Sequence, residues 1–310
     1  MMPETPPSPP QPVQRPLPDK SCRHNNGGST DLRSGLAHKL TLWWAAAGIL
    51  VGMPGVVAAH GDLHEQIEAV AIQIMQQPGS AVLYLKRADL HRFHGDPVAA
   101  AADYDVAAGL DPALSAVHLG RGQLHLAEGR FAAAREALEL FLAENPQHAQ
   151  GYLLRARAKA LENKHLPAAE DFARAIQLSA TPEPEHFLEQ AKSFAAAGPE
   201  HVTAALGALE NGINKLGNVV TLGLQAVELE VQLGRYDEAL SRLEKMSKAG
   251  VRQEFWMERQ GDVLRLAKRH GEAEALYLAA LQSLQSQPPR IRDTPSTKLV
   301  EERIQQKRHR

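Results

Sequence analysis

Cysteine is nearly absent. The 310-residue chain holds one, Cys22, so disulfide frameworks, thiol catalysis and zinc–thiolate sites are excluded from everything that follows it. Aromatic residues make up only 5%, while Ala and Leu abound, a balance that favours helix over sheet. Neither charge is in excess: the net charge is −2, without the basic surplus of a phosphate-binding surface, so nucleic acid is not an expected partner. Catalytic signatures are missing as well. There is no G-x-S-x-G, no G-x-x-x-x-G-K-[ST], no G-x-G-x-x-G after a strand and no H-E-x-x-H, since His64-Glu65 lacks a second histidine. Carboxylate pairs such as Glu136 and Glu139 or Glu301 and Glu302 are ordinary on a solvated helix. The chain is expected to be no enzyme and to need no cofactor.

What is present begins with a change of polymer. Residues 1–39 are rich in proline and turn formers and read as a disordered leader. Residues 40–59, "LTLWWAAAGILVGMPGVVAA", carry no charge, follow Lys39 and end in small residues. A charged flank, an apolar stretch and a small-residue exit describe an export signal cut after Ala59. Cleavage there predicts an exported chain starting at His60, periplasmic if the source is bacterial. Retention would instead make the segment an inner-membrane anchor, its length being sufficient to cross a bilayer. The chain from residue 60 onward has no N-x-[ST] acceptor.

Self-similarity dominates the remainder. "SAVLYLKRADLHRFHGDPVAAAADYDVAAGLDP", "LSAVHLGRGQLHLAEGRFAAAREALELFLAENP" and "HAQGYLLRARAKALENKHLPAAEDFARAIQLSA" superimpose without a gap, with Arg87, Arg121 and Arg155 34 residues apart. Gly95, Gly129 and Asn163 keep the same step, as do Ala100, Ala134 and Ala168, then Tyr104, Leu138 and Phe172. Each unit reads as a first helix, a left-handed turn residue, and a second helix with a small residue for close approach and a large one to fill the gap. Neither helix can hide its apolar face alone, so the units must stack. The sequence resembles the tetratricopeptide repeat (TPR) family, whose helix–turn–helix unit has this small–large–proline pattern. The resemblance extends to weaker units, one of which needs two extra residues in the turn after Gly198, and covers about residues 80–285.

The expected fold is all-α: a right-handed α-solenoid of about six helix–turn–helix units (80–112, 113–146, 147–182, 183–217, 218–250 and 251–287). An N-terminal flanking helix in 60–79, near Leu63 to Gln76, and a capping helix with a basic tail in 288–310 complete it. The whole layout is similar to exported bacterial TPR proteins, which implies a scaffold or adaptor for a protein or peptide partner.

In that family the first helices line a concave groove. The resemblance then places Lys86, Asp89, Arg92, Gln123, Gln150, Arg157, Lys192, Arg259, Asp262 and Arg265 on its polar wall, with Glu189 among them and Leu119, Leu153 and Leu154 interrupting it. Family members that clamp carboxylate termini use basic and Asn residues where this chain has Leu85, Asp89, Gly120 and Leu154, so that ligand is not expected. The segment "HGDLHE" reads as a helix start, with Asp62 as N-cap and Glu65 three residues on. The alternative is copper handling, with His60 and His64 as nitrogen ligands. His91 and His125 hold equivalent places in adjacent units, about a helix–helix spacing apart, too far to share a metal.

Overall fold

The structure, a computed structural model, describes residues 63–250 and 252–308. The leader, the apolar segment and His60 lie outside the described residues. Helix α1 (Leu63–Gln76) comes first. Six pairs follow: α2 (Ala81–His94) with α3 (Pro97–Leu110), α4 (Ala116–Ala127) with α5 (Phe131–Glu144), and α6 (Ala149–Leu161) with α7 (His165–Leu178). Then come α8 (Pro184–Ala197) with α9 (Val202–Leu216), α10 (Val220–Gln232) with α11 (Tyr236–Ala249), and α12 (Gln253–Leu266) with α13 (His270–Gln285). A short α14 (Pro289–Arg292) leads into α15 (Pro295–Arg308). The longer turn expected after Gly198 is a 3₁₀ turn, Pro199–His201.

Sequence dictates where each first helix stops. Gly95, Gly129 and Gly234 adopt φ of 84°, 72° and 72°, and the equivalent Asn163 and Lys268 are forced to 61°. Between the paired helices, Ala100, Ala134, Ala168, Ala205 and Ala239 are fully buried, with Tyr104, Leu138, Phe172, Leu209 and Leu243 filling the gaps. Tyr104 lies so close to α4 that a Cβ on Gly120 would come within 2.5 Å of its ring. The backbone there must be bare.

The 34-spaced arginines knit helices together. Arg87 Nε and Nη2 donate to Asp103 at 2.7 Å each, and Arg155 repeats this on Asp171, which also takes Lys159 Nζ at 2.8 Å. The middle unit has Ala137 where the aspartate would be. Arg121 therefore turns back to Asp105 on α3. In the fifth unit the same place has inverted sign, with Arg242 bonded to the buried Glu230. A buried carboxylate left without its cation would be costly, so these pairs fix register within each unit.

Candidate functional site: the concave face

Curvature follows from which helices touch. First helices of successive units approach one another (α2 and α4, α4 and α6, α8 and α10), whereas no pair of second helices packs as closely. The first helices consequently form the inside of the curve, and their outward residues form its wall.

The structure distributes the expected wall residues unevenly. Lys86, Gln150, Lys192 and Arg259 are exposed, and Gln123 is half-buried. Asp89 is occupied: Tyr104 Oη donates to it at 2.7 Å and Arg92 reaches it at 3.4 Å. Burial and the bond to Asp89 push the Tyr104 hydroxyl pKa well above its ordinary value. Arg92 also stacks 4.2 Å over the Phe93 ring, and Arg259 lies 5.5 Å from the Phe255 centroid. At the far end α15 takes up the wall itself. Arg303 and Lys307 bond to the buried Glu258, Lys307 also reaches Asp262 at 2.6 Å, and Arg265 donates to the Lys307 carbonyl at 2.6 Å. Asp262 and Arg265 thus hold the capping helix. Leu153 and Leu154, expected to face the groove, are buried in the core, and only Leu119 stays half-exposed. Large apolar side chains exposed on the first helices include Phe93, Leu161 and Leu266, at 66%, 55% and 57%. These three hold one repeat position, two residues before the turn residues Gly95, Asn163 and Lys268, and that shared position was the sequence signal for them.

The middle of the wall opens into a cleft between α6 and α8, of about 410 Å³, floored by Phe172, Ala160 and Ala196 with Leu161 at its lip. Arg157 bridges its mouth to Glu189 through two bonds of 2.8 and 3.0 Å. Lys192, on the same rim, carries no ion pair among the described residues. An apolar floor, a fixed guanidinium–carboxylate pair and one uncommitted ammonium can seat an apolar side chain and orient the backbone beside it.

The histidines do not converge. His64 lies 3.2 Å from Glu68 on α1, with its ring 6.5 Å from that of His94. His125 Nδ1 is buried 3.6 Å from Glu128, beyond hydrogen-bond range, and burial with nearby Arg130 lowers its pKa. Among the described residues no group of three His, Cys, Asp or Glu could hold a metal ion. Nor is any described helix long and apolar enough to cross a membrane.

Comparison with known proteins agrees with this architecture. The sequence profile of the tetratricopeptide repeat matches residues 85–149 and 119–183, and that of a tetratricopeptide repeat-like domain matches residues 186–301. No curated protein matches the chain. Among solved structures, the C-terminal part of a TPR repeat-containing protein from Cytophaga hutchinsonii is similar at TM-score 0.58 and 13% identity, covering 73% of this chain and 92% of its own. A chain in the structure of Naa15/Naa10 bound to HypK-THB reaches TM-score 0.50 at 16% identity, over 76% of this chain and 36% of its own. A tetratricopeptide repeat protein from Parabacteroides merdae is similar at TM-score 0.46 and 14% identity, over 79% of this chain and 93% of its own. Such identities speak to fold alone. Profiles that tile the paired helices from α2 to α15, on a structure built of six such pairs, establish that the chain is a tetratricopeptide repeat protein.

Proposed function

We propose that this chain is a non-enzymatic scaffold that works after export from the cytoplasm and holds an extended segment of a partner polypeptide along its concave face. TPR proteins are in general non-catalytic interaction scaffolds. The α6–α8 cleft carries the finer reading. Arg157 and Glu189 neutralise one another at its mouth, so the site rejects neither sign outright. Lys192 adds a preference for a carboxylate close to the buried side chain. The charged flank, apolar stretch and small exit of residues 39–59 support export.

A photo-crosslinking side chain placed at Leu161, and separately at Val106 on the exposed side of α3, tests the groove. The expected result is a polypeptide adduct from position 161 that Lys192→Glu weakens. Adducts formed from position 106 alone would move the interface to the second helices. Intact mass of the same purified chain reads the amino terminus, and a chain retaining residues 40–59 would replace export with anchoring.

A further inference from the structure

Five of the six units place a large side chain sixteen residues before the packed alanine of the second helix. Tyr84, His118, Tyr152 and Met257 hold that place, as does Phe187 once the two extra turn residues of its unit are counted. The fifth unit has Gly223. Seven residues after the same alanine, Ala107, Ala175, Gly212 and Ala280 are small, but the fifth unit has Met246. Large and small have changed sides. Met246 reaches over Gly223, where a Cβ would come 2.7 Å from its sulfur. The exchange does not fill the space. A cavity of about 240 Å³ remains, lined by Ile213, Val219, Val220, Met246 and Trp256 beneath Gly223. In the second unit, where Phe141 is also large, His148 covers its ring edge-on at 4.9 Å. The residue equivalent to His148 is Gln253, whose amide is spent on the carbonyls of Ser247 and Gly250.

The cavity opens to solvent beside Val220, 49% exposed, with Lys245 and Arg242 at its rim. Arg242 is held by Glu230 and Glu210. Lys245 is exposed and has no ion pair among the described residues. On its other side Lys245 borders a hollow lined by Glu210, Asp237 and Glu238, which would repel a run of acidic residues but not a single one. The volume falls below the roughly 300–1,000 Å³ of small-molecule sites, which favours one side chain over a free ligand.

We propose that this socket receives an aromatic side chain of a partner polypeptide, in the place the other units fill from within, with one adjacent carboxylate paired to Lys245. It is a second docking point, separate from the α6–α8 cleft. The test uses the full-length chain and fluorescein-labelled Gly/Ser peptides centred on Phe-Asp, Phe-Lys or Ala-Asp. Binding is read by anisotropy and by the Trp256 indole N–H resonance, assigned with Trp256→Phe. The Phe-Asp peptide is expected to shift that resonance and to bind roughly tenfold or more tightly than Ala-Asp, the effect of burying one aromatic ring. Lys245→Glu should reverse the preference to Phe-Lys. Gly223→Tyr with Met246→Ala, which refills the socket from within, should abolish the response of the Trp256 resonance to the Phe-Asp peptide, whatever the α6–α8 cleft still binds. Equal responses to Phe-Asp and Ala-Asp, or an unmoved preference in the exposed Lys245→Glu variant, would overturn the proposal. So would N-acetylphenylalanine binding as tightly as the peptide, which would make this a small-molecule site.

Discussion

Asp171→Ala is the sharpest probe of how this array holds its register. The carboxylate is 5% exposed and takes Arg155 through two bonds of 2.7 Å and Lys159 at 2.8 Å. Breaking a buried pair by removing one partner costs about 3–5 kcal/mol, because the other charge stays buried. Two features pull the figure to the lower end. The side chains of Arg155 and Lys159 keep 18% and 14% of their surface, so water relieves part of the loss. The second unit also shows an arginine at this position managing without the aspartate, since Arg121 turns back to Asp105. Glu139 stands 34 residues after Asp105; Arg135 Nη1 already bonds to it at 3.0 Å, but its charge also acts on Arg155 and can draw that side chain in. The expected cost is about 3 kcal/mol, and Glu139→Ala should be more damaging in the Asp171→Ala background than alone. Long repeat arrays need not unfold as one unit, so the assay is native-state hydrogen exchange of α6 and α7 peptides, which reads local opening. A cost below about 1 kcal/mol, or strict additivity with Glu139→Ala, would refute both the burial argument and the re-pairing.

Other parts of the chain make independent predictions. Tyr277 Oη donates to Asp262 at 2.8 Å, so Tyr277→Phe should destabilise the last pair by about 1 kcal/mol, measured by hydrogen exchange of α12 and α13. Lys268 is held at φ 61°, where a side chain costs about 1–2 kcal/mol. Lys268→Gly should therefore raise the melting temperature, and a fall would show that lysine contacts outweigh the strain. Burial acts to raise the Glu258 pKa, but bonds from Arg303 and Lys307 win and lower it. A depressed carboxylate contributes stability that is present above its unfolded pKa and lost as pH falls through the folded one. Exchange protection of α15 should thus decline below about pH 4, and Glu258→Gln should flatten that decline.

Much of this architecture was legible in the sequence because a 34-residue period repeats the same physical demands. Ala100, Ala134 and Ala168 marked the close approaches, and Gly95, Gly129 and Asn163 marked the turns, before any coordinate was needed. The groove was legible only as a set of positions. Charge type at a position does not reveal whether a neighbour has already consumed it. Asp89 is taken by Tyr104, fifteen residues on, and Asp262 by Tyr277 and by Lys307, 45 residues away. The first of these separations recurs and could have been found from the repeat. The second belongs to α15, which has no repeat to compare with. Leu153 and Leu154 were misplaced because adjacent leucines on a helix cannot be sorted into core and groove by spacing alone.

The fifth unit shows that the array requires a pair at the interhelix position, not a particular sign. Lys159 and Asp171 are twelve residues apart, and so are Glu230 and Arg242, with the charges exchanged. The exchange is tolerated there because Ala226 stands where Arg155 stands in the third unit. An arginine at that point would face Arg242 across the same buried space. The third unit should then accept the inverted pair only if its extra cation goes too. Lys159→Glu alone sets two carboxylates together, and Asp171→Arg alone sets three cations together, so each should open α6 and α7 measurably. The triple variant Arg155→Ala, Lys159→Glu, Asp171→Arg rebuilds the fifth unit's arrangement and should return local exchange stability to within about 1 kcal/mol of the natural chain, the spread of an equivalent pair in a new context. A triple variant no better than its worse single would mean that the fifth unit owes its stability to its own apolar surroundings, and that the pair is a consequence of packing, not a cause of register.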